Sequence, residues 1–219
     1  YLLTVLTTNH TVQTTESGSW FYYTGGSAVY TVSVPSASGF TNKFSFKITN
    51  GDNRGKTVAI TGRSAFTLYP TQSVTVTNNS GTWLVSAIER WISPGVTFYV
   101  NQSGSDSNDG LATGASNAFA TIDHAWNIIK ANIDCAGEAP IIMIDSGSTL
   151  TVDYEVILSG QMVGFHFCIL TATASAGFPN STNARVTFNS GGSLLVTDYA
   201  TVIIQNIEFA SNANDQIML

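Results

Sequence analysis

The chain has 219 residues, 43% of them hydrophobic, which is enough for one large all-β core or two smaller ones. Only 10% are charged, against about 25% in typical soluble domains, so Ser, Thr, Asn, Gln and Gly must supply the polar surface. Residues 1–95 sum to a charge of +3 and residues 96–219 to −9, which supports a molecule in two parts. Nucleic-acid binding is not expected, because the second part repels polyanions and the first lacks dense Lys/Arg clusters. The six Lys and Arg side chains of the first part are interpreted as a solvated surface.

No stretch approaches the roughly 18 consecutive apolar residues of a membrane-spanning helix, so no membrane insertion is expected. Residues 1–6 have no basic flank and are too short for a signal peptide. The chain lacks an initiator Met, which is the pattern of a processed form or of a fragment of a longer protein.

From Trp20 onward the first part alternates apolar and polar residues with a period of two, which predicts short strands. Residues 20–23 and 29–34 are interpreted as strands separated by a turn at Gly25-Gly26. Further strands are predicted near residues 44–48, 58–60, 74–77 and 82–85. A spacing of about ten residues is typical of a sandwich or a small barrel, and we favour a β-sandwich-like module over residues 1–95. Pro94-Gly95 marks the junction.

Several segments of this first part share a pattern of strands and turns: residues 34–35, 46–50, 58–60, 68–70, 73–76 and 81–85. Together they resemble a small β module of bacteriophage tail-fibre and other virion proteins, in which a Gly-Thr-Trp hairpin closes the domain. Gly81-Thr82-Trp83 is that hairpin here. The resemblance covers about residues 29–87 and carries no catalytic signature.

One amphipathic helix is predicted in the second part. Its apolar stripe falls at helical spacing on Ile122, Ala125, Trp126, Ile129 and Ile133. The preceding threonine, at position 121, is the expected N-cap, and an aspartate at 123 occupies the first turn, where the helix dipole favours an anion. A stack of β coils exposes an apolar end, so we expect this helix to cover the first coil of a solenoid.

The segments after the helix predict the coils themselves. Residues 141–144 are all apolar, as a parallel strand that is buried on both faces requires. Later strands are predicted near residues 156–158, 167–170, 186–188, 194–196 and 202–204. About three coils fit before Leu219, and solenoids need a cap at each end. We therefore expect the protein to continue beyond that residue, or a partner subunit to cover the open coil.

The order of pieces in the second part is more specific than any one of them. It runs Phe-Tyr-Val at 98–100, Gly-Ser-Asp-Ser-Asn-Asp-Gly at 104–110, Phe-Ala-Thr-Ile at 119–122 and an alanine at 125. This order resembles the start of right-handed parallel β-helix proteins of the pectate-lyase-like kind, which include phage tailspikes and polysaccharide lyases. The resemblance implies an all-β chain, with a β-sandwich-like module at 1–95 and a helix-capped parallel β-helix at 96–219.

Two groups of residues are candidates for chemistry. Glycoside hydrolysis needs two carboxylates roughly 5–10 Å apart. Asp153 and Glu155 would share a face of a strand, although acids on the solvent side of coils are expected anyway, and no catalytic residue is assigned. Asp106, Asn108 and Asp109 have the acid and amide density of a calcium loop, but the EF-hand spacing and its distal Glu are absent, and Asx-turns explain them better. No cofactor is expected.

Cys135 and Cys168 have no CxxC spacing, and His166 lies two residues before the second of them. A zinc pair on one strand face is geometrically possible, but two buried apolar thiols are the favoured interpretation. The aromatic run at residues 20–23 fits stacking on sugar rings, contact with a neighbouring subunit, or core packing of alternate members.

We expect a virion structural protein, a tail-fibre or tailspike subunit, that attaches to the particle through its N-terminal module and presents the β-helix to the host surface. The resemblance implies a homotrimer located on the virion, with other virion proteins and host-surface glycans as partners. One alternative is an extracellular polysaccharide depolymerase, a lyase or a hydrolase of the β-helix type. The other is a bacterial surface adhesin, secreted or held at the cell surface.

Overall fold

The computed structural model describes residues 2–24, 30–88, 90–145, 149–165, 167–172, 185–190, 192–198 and 200–211. Across these ranges the protein is all-β, as predicted, with twenty strands, one α-helix and one short 3₁₀ helix. The chain divides into two compact units, unit 1 over Tyr1–Trp91 and unit 2 over Ile92–Leu219. Each is described by itself.

Unit 1 is built from two sheets. Its strands are β1 (Leu2–Leu6), β2 (His10–Thr11), β3 (Ser19–Tyr23), β4 (Thr31–Val34), β5 (Ser45–Asn50), β6 (Lys56–Ile60), β7 (Phe66–Leu68), β8 (Ser73–Asn79) and β9 (Thr82–Val85), with a 3₁₀ turn at Ala37–Gly39. One sheet has the order β1-β3-β5-β8-β9 and the other the order β2-β4-β6-β7. The first six strands of the chain therefore alternate between the two sheets, as in a two-sided coil, whereas β7 stays in the sheet of β6 and β9 in the sheet of β8.

The pairing in unit 1 is parallel first and antiparallel later. β1, β3 and β5 are parallel neighbours, and so are β2, β4 and β6. β7, β8 and β9 then return antiparallel to their neighbours. The Gly-Thr-Trp hairpin predicted at residues 81–83 is confirmed by the β8–β9 pair. Residues 20–23 form a strand as predicted, and the strand predicted at 29–34 is described as Thr31–Val34. The two lie in different sheets, and the Gly25-Gly26 turn lies outside the described residues.

A single apolar core fills unit 1, which gives it the sandwich-like character expected. Alternation along each strand sends every second side chain inward, so Phe21, Phe46 and Ile48 are fully buried while their chain neighbours face outward. Trp83 closes the core, with its ring edge-on to Phe46 at a centroid distance of 5.9 Å. Its indole N–H donates to the Pro35 carbonyl at 2.7 Å, so the buried polar atom has a partner.

Unit 2 contains the helix α1 (Ile122–Asn132) and the strands β11 (Thr97–Val100), β12 (Ile133–Asp134), β13 (Ile141–Ile144), β14 (Thr149–Val152), β15 (Glu155–Ser159), β16 (Cys168–Ala172), β17 (Arg185–Phe188), β18 (Ser193–Thr197), β19 (Val202–Ile204) and β20 (Glu208–Ser211). The short strand β10 (Trp91–Ile92) ends on the first residue of this unit and pairs with β12.

The remaining strands of unit 2 form three parallel sheets, with orders β11-β13-β16-β19, β14-β17-β20 and β15-β18. Each strand pairs with its equivalent one coil later, as Phe98 with Ile142 and Ile142 with Leu170. Like side chains therefore stack in columns inside the coils. This is the parallel solenoid predicted from the apolar run at 141–144, and every described strand pair within these three sheets is parallel.

The helix covers the first coils, as its stripe predicted. Ile122, Ala125, Trp126 and Ile129 are buried, and α1 packs against β11, β12, β13 and β15. The fifth stripe residue, Ile133, is also buried but belongs to β12. Thr121 is the N-cap as predicted, since its hydroxyl accepts the His124 backbone N–H at 3.3 Å.

Candidate functional site

The loop before the helix brings Asp106 onto the helix N-terminus. Its Oδ1 accepts the backbone N–H groups of Ala120 and Thr121 at 2.9 and 3.1 Å, and its Oδ2 accepts the Thr121 hydroxyl at 2.8 Å. Both carboxylate oxygens are thus committed to the start of α1, where the positive end of the dipole stabilises an anion. The structure gives this candidate calcium ligand a role in fixing the loop to the cap.

The other two candidate metal ligands also bind the backbone of this loop. Asn108 donates its amide to the carbonyls of Ala115 and Ala118 at 3.0 and 2.8 Å. Asp109 is buried, and its Oδ1 accepts the Leu111 N–H at 3.1 Å, which is an Asx-turn. Within the described ranges, no group of three His, Cys, Asp or Glu side chains is placed to hold a metal ion.

The two candidate catalytic acids are both exposed, on either side of Tyr154. Glu155 is the first residue of β15, whereas Asp153 lies in the bend between β14 and β15. Only one of the two is in a strand, so the alternation rule does not put them on one face.

Tyr154 joins these acids to the cap helix, and sequence reasoning did not single it out. Its hydroxyl donates to Asp123 Oδ1 at 3.1 Å, although the side chain is 38% exposed. Burial and then the negative charge of Asp123 raise the pKa of Tyr154 well above its ordinary value of 10.0. A Tyr between two acids gives no sequence signal for this contact, because its partner is 31 positions away in the chain.

The buried cysteines fit the apolar interpretation. Cys135 and Cys168 are both free thiols with no exposed surface. Burial raises the pKa of Cys168 to about 12. His166, the third residue of the possible zinc group, lies outside the described residues.

In unit 1 the aromatic run splits by alternation. Phe21 and Tyr23 are buried in the core, whereas Trp20 and Tyr22 lie on the outer surface of the five-stranded sheet. Their rings meet edge-on at a centroid distance of 6.2 Å. Each is paired across to the edge strand, Trp20 with Leu3 and Tyr22 with Val5. We call these four side chains the outer aromatic patch.

The polar neighbours of the outer aromatic patch hold its rings in place. The Trp20 indole donates to the Thr49 hydroxyl at 2.8 Å, and Thr49 in turn bonds Ser73 at 2.7 Å. The Lys47 ammonium lies 5.0 Å from the centroid of the Trp20 ring, a cation–π contact. These contacts hold the Trp20 ring, and the patch offers a surface able to stack on a ring or to receive another apolar chain.

Two of the six Lys and Arg residues of unit 1, Arg54 and Lys56, depart from the solvated surface that was expected, whereas the other four are exposed or half-buried. The Lys56 side chain is 0% exposed, and its ammonium lies 2.9 Å from the Asp52 carboxylate. It also lies 5.1 Å from the centroid of the Tyr30 ring. Arg54 is likewise buried. The burial of a lysine in an alternating strand cannot be predicted from the sequence, because Lys normally indicates the solvent face of a strand.

The outer faces of the unit 2 solenoid differ in chemistry. On the sheet β11-β13-β16-β19, the outward column runs Thr97, Ile141, Ile169, Ile203, and its neighbouring column begins Tyr99, Met143. On the sheet β14-β17-β20 the outward column runs Thr149, Arg185, Glu208, and the last two form an ion pair. We call the first of these the apolar outer face; its described side chains carry no charge.

Comparison with protein-family models, curated proteins and solved structures finds no match to this chain. No helix in the described part of the chain has the length and apolarity of a membrane-crossing segment.

Proposed function

We propose that the chain is a subunit of a virion tail fibre or tailspike. The observation that carries the proposal is the helix-capped parallel solenoid of unit 2, which follows a separate two-sheet unit. That arrangement is what the resemblance to phage fibre proteins implies, and the low charge content suits an extracellular β surface rich in hydroxyl groups. In this proposal unit 1 attaches to the particle and unit 2 faces the host surface.

The proposed assembly is a homotrimer that packs through the apolar outer face. The second part of the chain has a net charge of −9, so copies repel each other unless they meet where charge is absent. The isoleucine column repeats from coil to coil, which lets identical faces match along their length. Host binding would then be multivalent, with weak contacts multiplied by symmetry.

Electron microscopy tests the virion assignment directly. Gold-labelled antibodies raised against the chain should decorate particles made from the genome that encodes it, at the tail. Label on bacterial surfaces in the absence of particles would instead support the adhesin and would overturn the virion assignment.

Analytical ultracentrifugation tests the trimer. The expected mass is three times the 23.3 kDa of one chain. Ile169→Glu should reduce this to the monomer because it places a charge in the apolar outer face. Thr151→Glu, on the outer surface of the neighbouring sheet, is the matched control and should remain trimeric. A monomeric parent chain would refute the threefold packing.

The depolymerase alternative is favoured by one observation: Tyr154, which lies between Asp153 and Glu155 in the chain, is partly exposed and donates its hydroxyl to Asp123. A carbohydrate-cleaving activity of the chain that is lost in both Asp153→Asn and Glu155→Gln would favour it. Cleavage that survives both substitutions would show that neither acid is catalytic.

A further inference from the structure

The edge strand β1 is the least protected part of unit 1. It is the terminal strand of the five-stranded sheet and pairs with β3 in parallel over all five residues. No described strand lies on its other side. An open edge of this kind is a template for another strand.

The hydrogen bonds of β1 define which backbone groups are open. Leu2 donates to the Gly18 carbonyl, and the Leu6 carbonyl accepts from Thr24, so even-numbered residues of the strand bond toward β3. In a parallel ladder, alternate residues point to opposite sides. The N–H and C=O groups of Leu3 and Val5 therefore point away from β3, toward the open edge.

The side chains of β1 offer no edge protection. Natural edge strands are shielded by charge, proline, bulges or short length. β1 has the sequence Leu-Leu-Thr-Val-Leu, with Leu2, Leu3 and Val5 exposed to 76%, 53% and 55%. By contrast β2, the equivalent edge of the other sheet, is only two residues long. Leu3 and Val5 are the part of the outer aromatic patch that lies at the rim of the sheet.

Charge and pattern together identify the occupant. Residues 1–15 contain no Asp, Glu, Lys or Arg. The edge therefore neither attracts a charged partner nor repels the same edge of a second copy. The strand is also self-complementary, because its apolar residues are arranged symmetrically about Thr4. We propose that β1 pairs antiparallel with β1 of a second copy of this chain, about a twofold axis at Thr4.

The register of this pair follows from the open backbone groups. Leu3 faces Val5 of the other copy in two hydrogen-bonded pairs, which use the groups that point away from β3. Thr4 then faces its own equivalent in a non-hydrogen-bonded pair, with Cα atoms about 4.5 Å apart. The two outer aromatic patches become continuous across the joint, and each five-stranded sheet is extended into its neighbour.

The contact between the two β1 strands is small, so a covalent trap is needed to detect it. Pairing one five-residue strand buries far less than the ~1,200 Å² of a stable interface, so reversible association is expected. The pairing uses unit 1 alone and is independent of the threefold packing proposed for unit 2. A disulfide traps it and reports it whatever else the chain assembles into.

Thr4→Cys is the test, carried out on the full chain. At about 4.5 Å the Cα atoms suit a disulfide, so mild oxidation should convert the variant to covalent dimer on a non-reducing gel. Thr8→Cys is the matched control, because exposed residue 8 would lie roughly 27 Å from its equivalent at 3.4 Å a residue. The native cysteines are buried and should not contribute. A Thr4→Cys chain that stays monomeric, or equal cross-linking of both variants, overturns the proposal.

A second pair of variants distinguishes specific pairing of β1 from disulfides that form by random encounters between chains. Adding Val5→Lys to Thr4→Cys places a charge in the joint and should abolish the covalent dimer. Adding Leu84→Lys instead alters β9, the opposite edge of the same sheet, where the side chain is similarly exposed at 49%, and should leave the dimer intact. Circular dichroism establishes that each variant is folded. Unchanged cross-linking with Val5→Lys would show that the contact is not the β1 edge.

Discussion

Trp126 of the cap helix donates its indole N–H to the main-chain carbonyl of Ser159, at the end of β15, over 3.0 Å. The Lys130 ammonium donates to the same oxygen at 3.0 Å. One carbonyl of the second coil thus receives two donors from the helix that covers the solenoid. The helix is joined to the coils by this polar anchor as well as by its apolar stripe.

Trp126 should therefore matter more for its volume than for its hydrogen bond. Trp126→Phe keeps most of the ring and leaves Lys130 on the carbonyl, so we expect a loss of about 1 kcal/mol in the free energy of unfolding. Trp126→Ala opens a cavity and should cost about 3–5 kcal/mol. Urea unfolding followed by circular dichroism measures both. Equal losses for the two variants would contradict a helix held mainly by packing.

Calcium should not stabilise the loop at residues 103–111. Asp106 spends both carboxylate oxygens on Ala120 and Thr121, so the thermal midpoint should be the same in calcium and in a chelator. A site filled at 100 times its Kd would instead add about 2.7 kcal/mol. Asp106→Asn is the companion variant and should lose about 1 kcal/mol in both conditions, because it removes an anion from the helix N-terminus. A calcium-dependent midpoint in the parent chain alone would restore the metal hypothesis.

The buried ion pair of unit 1 should be intolerant of the loss of one partner. Lys56→Met removes the ammonium and leaves the Asp52 carboxylate buried, which should cost about 3–5 kcal/mol. Lys47→Met, in β5 of the other sheet of unit 1, loses only a cation–π contact and should cost about 1 kcal/mol or less. Denaturant titration of the two variants compares them. Similar costs would mean that the buried pair contributes no more than a surface lysine.

Gly51 should be required by the ring of Tyr22. A Cβ at position 51 would overlap that ring, so Gly51→Ala should displace it and cost about 1–3 kcal/mol. In the background of Tyr22→Ala the same substitution should be nearly neutral, since the obstacle is gone. A double-mutant cycle on unfolding free energies measures this coupling. If the costs of Gly51→Ala and Tyr22→Ala simply add, the Tyr22 ring is not the reason that position 51 requires glycine.

The Cys168 thiol should be unreactive in the folded chain and should make stability fall at high pH. Its folded pKa is about 12 against an ordinary 9.0, because burial disfavours the thiolate. Between those values the unfolded state binds fewer protons than the folded state, so stability declines as pH rises from 9 to 12. Cys168→Ala should show a shallower decline across that window. A thiol reagent that modifies the native protein as fast as the urea-unfolded one would contradict the burial.

Much of unit 2 was predictable because its signals are local. The stripe of Ile122, Ala125, Trp126 and Ile129 is set by the helical period, and the cap at Thr121 by a single side chain. The apolar run at 141–144 predicted a parallel strand, which is confirmed, but only Ile142 and Ile144 are buried, so the expected burial of both faces does not hold. The partner of Tyr154 was not predictable, since Asp123 reaches it only when the cap helix lies on the coil.

Unit 1 shows the opposite case. Its strands were predicted from alternation, but the pairing of Trp20 with Lys47 and of Phe21 with Ile48 joins residues that no local rule connects. The burial of Lys56 also depends on Asp52 and Tyr30 being brought around it. Pairing between distant strands is decided by which arrangement covers the most apolar surface, and that is a property of the whole core.

By itself the sequence determined which residues form strands, where the single described helix begins, and which side of each strand is apolar, because these follow from periodicity and from caps within a few residues. Only the tertiary structure decided that the first six strands of unit 1 alternate between two sheets, that Lys56 is inside, and that Leu3 and Val5 lie at an open edge. Those outcomes depend on contacts between segments far apart in the chain, because the buried backbone N–H and C=O groups of a strand need partners on other strands.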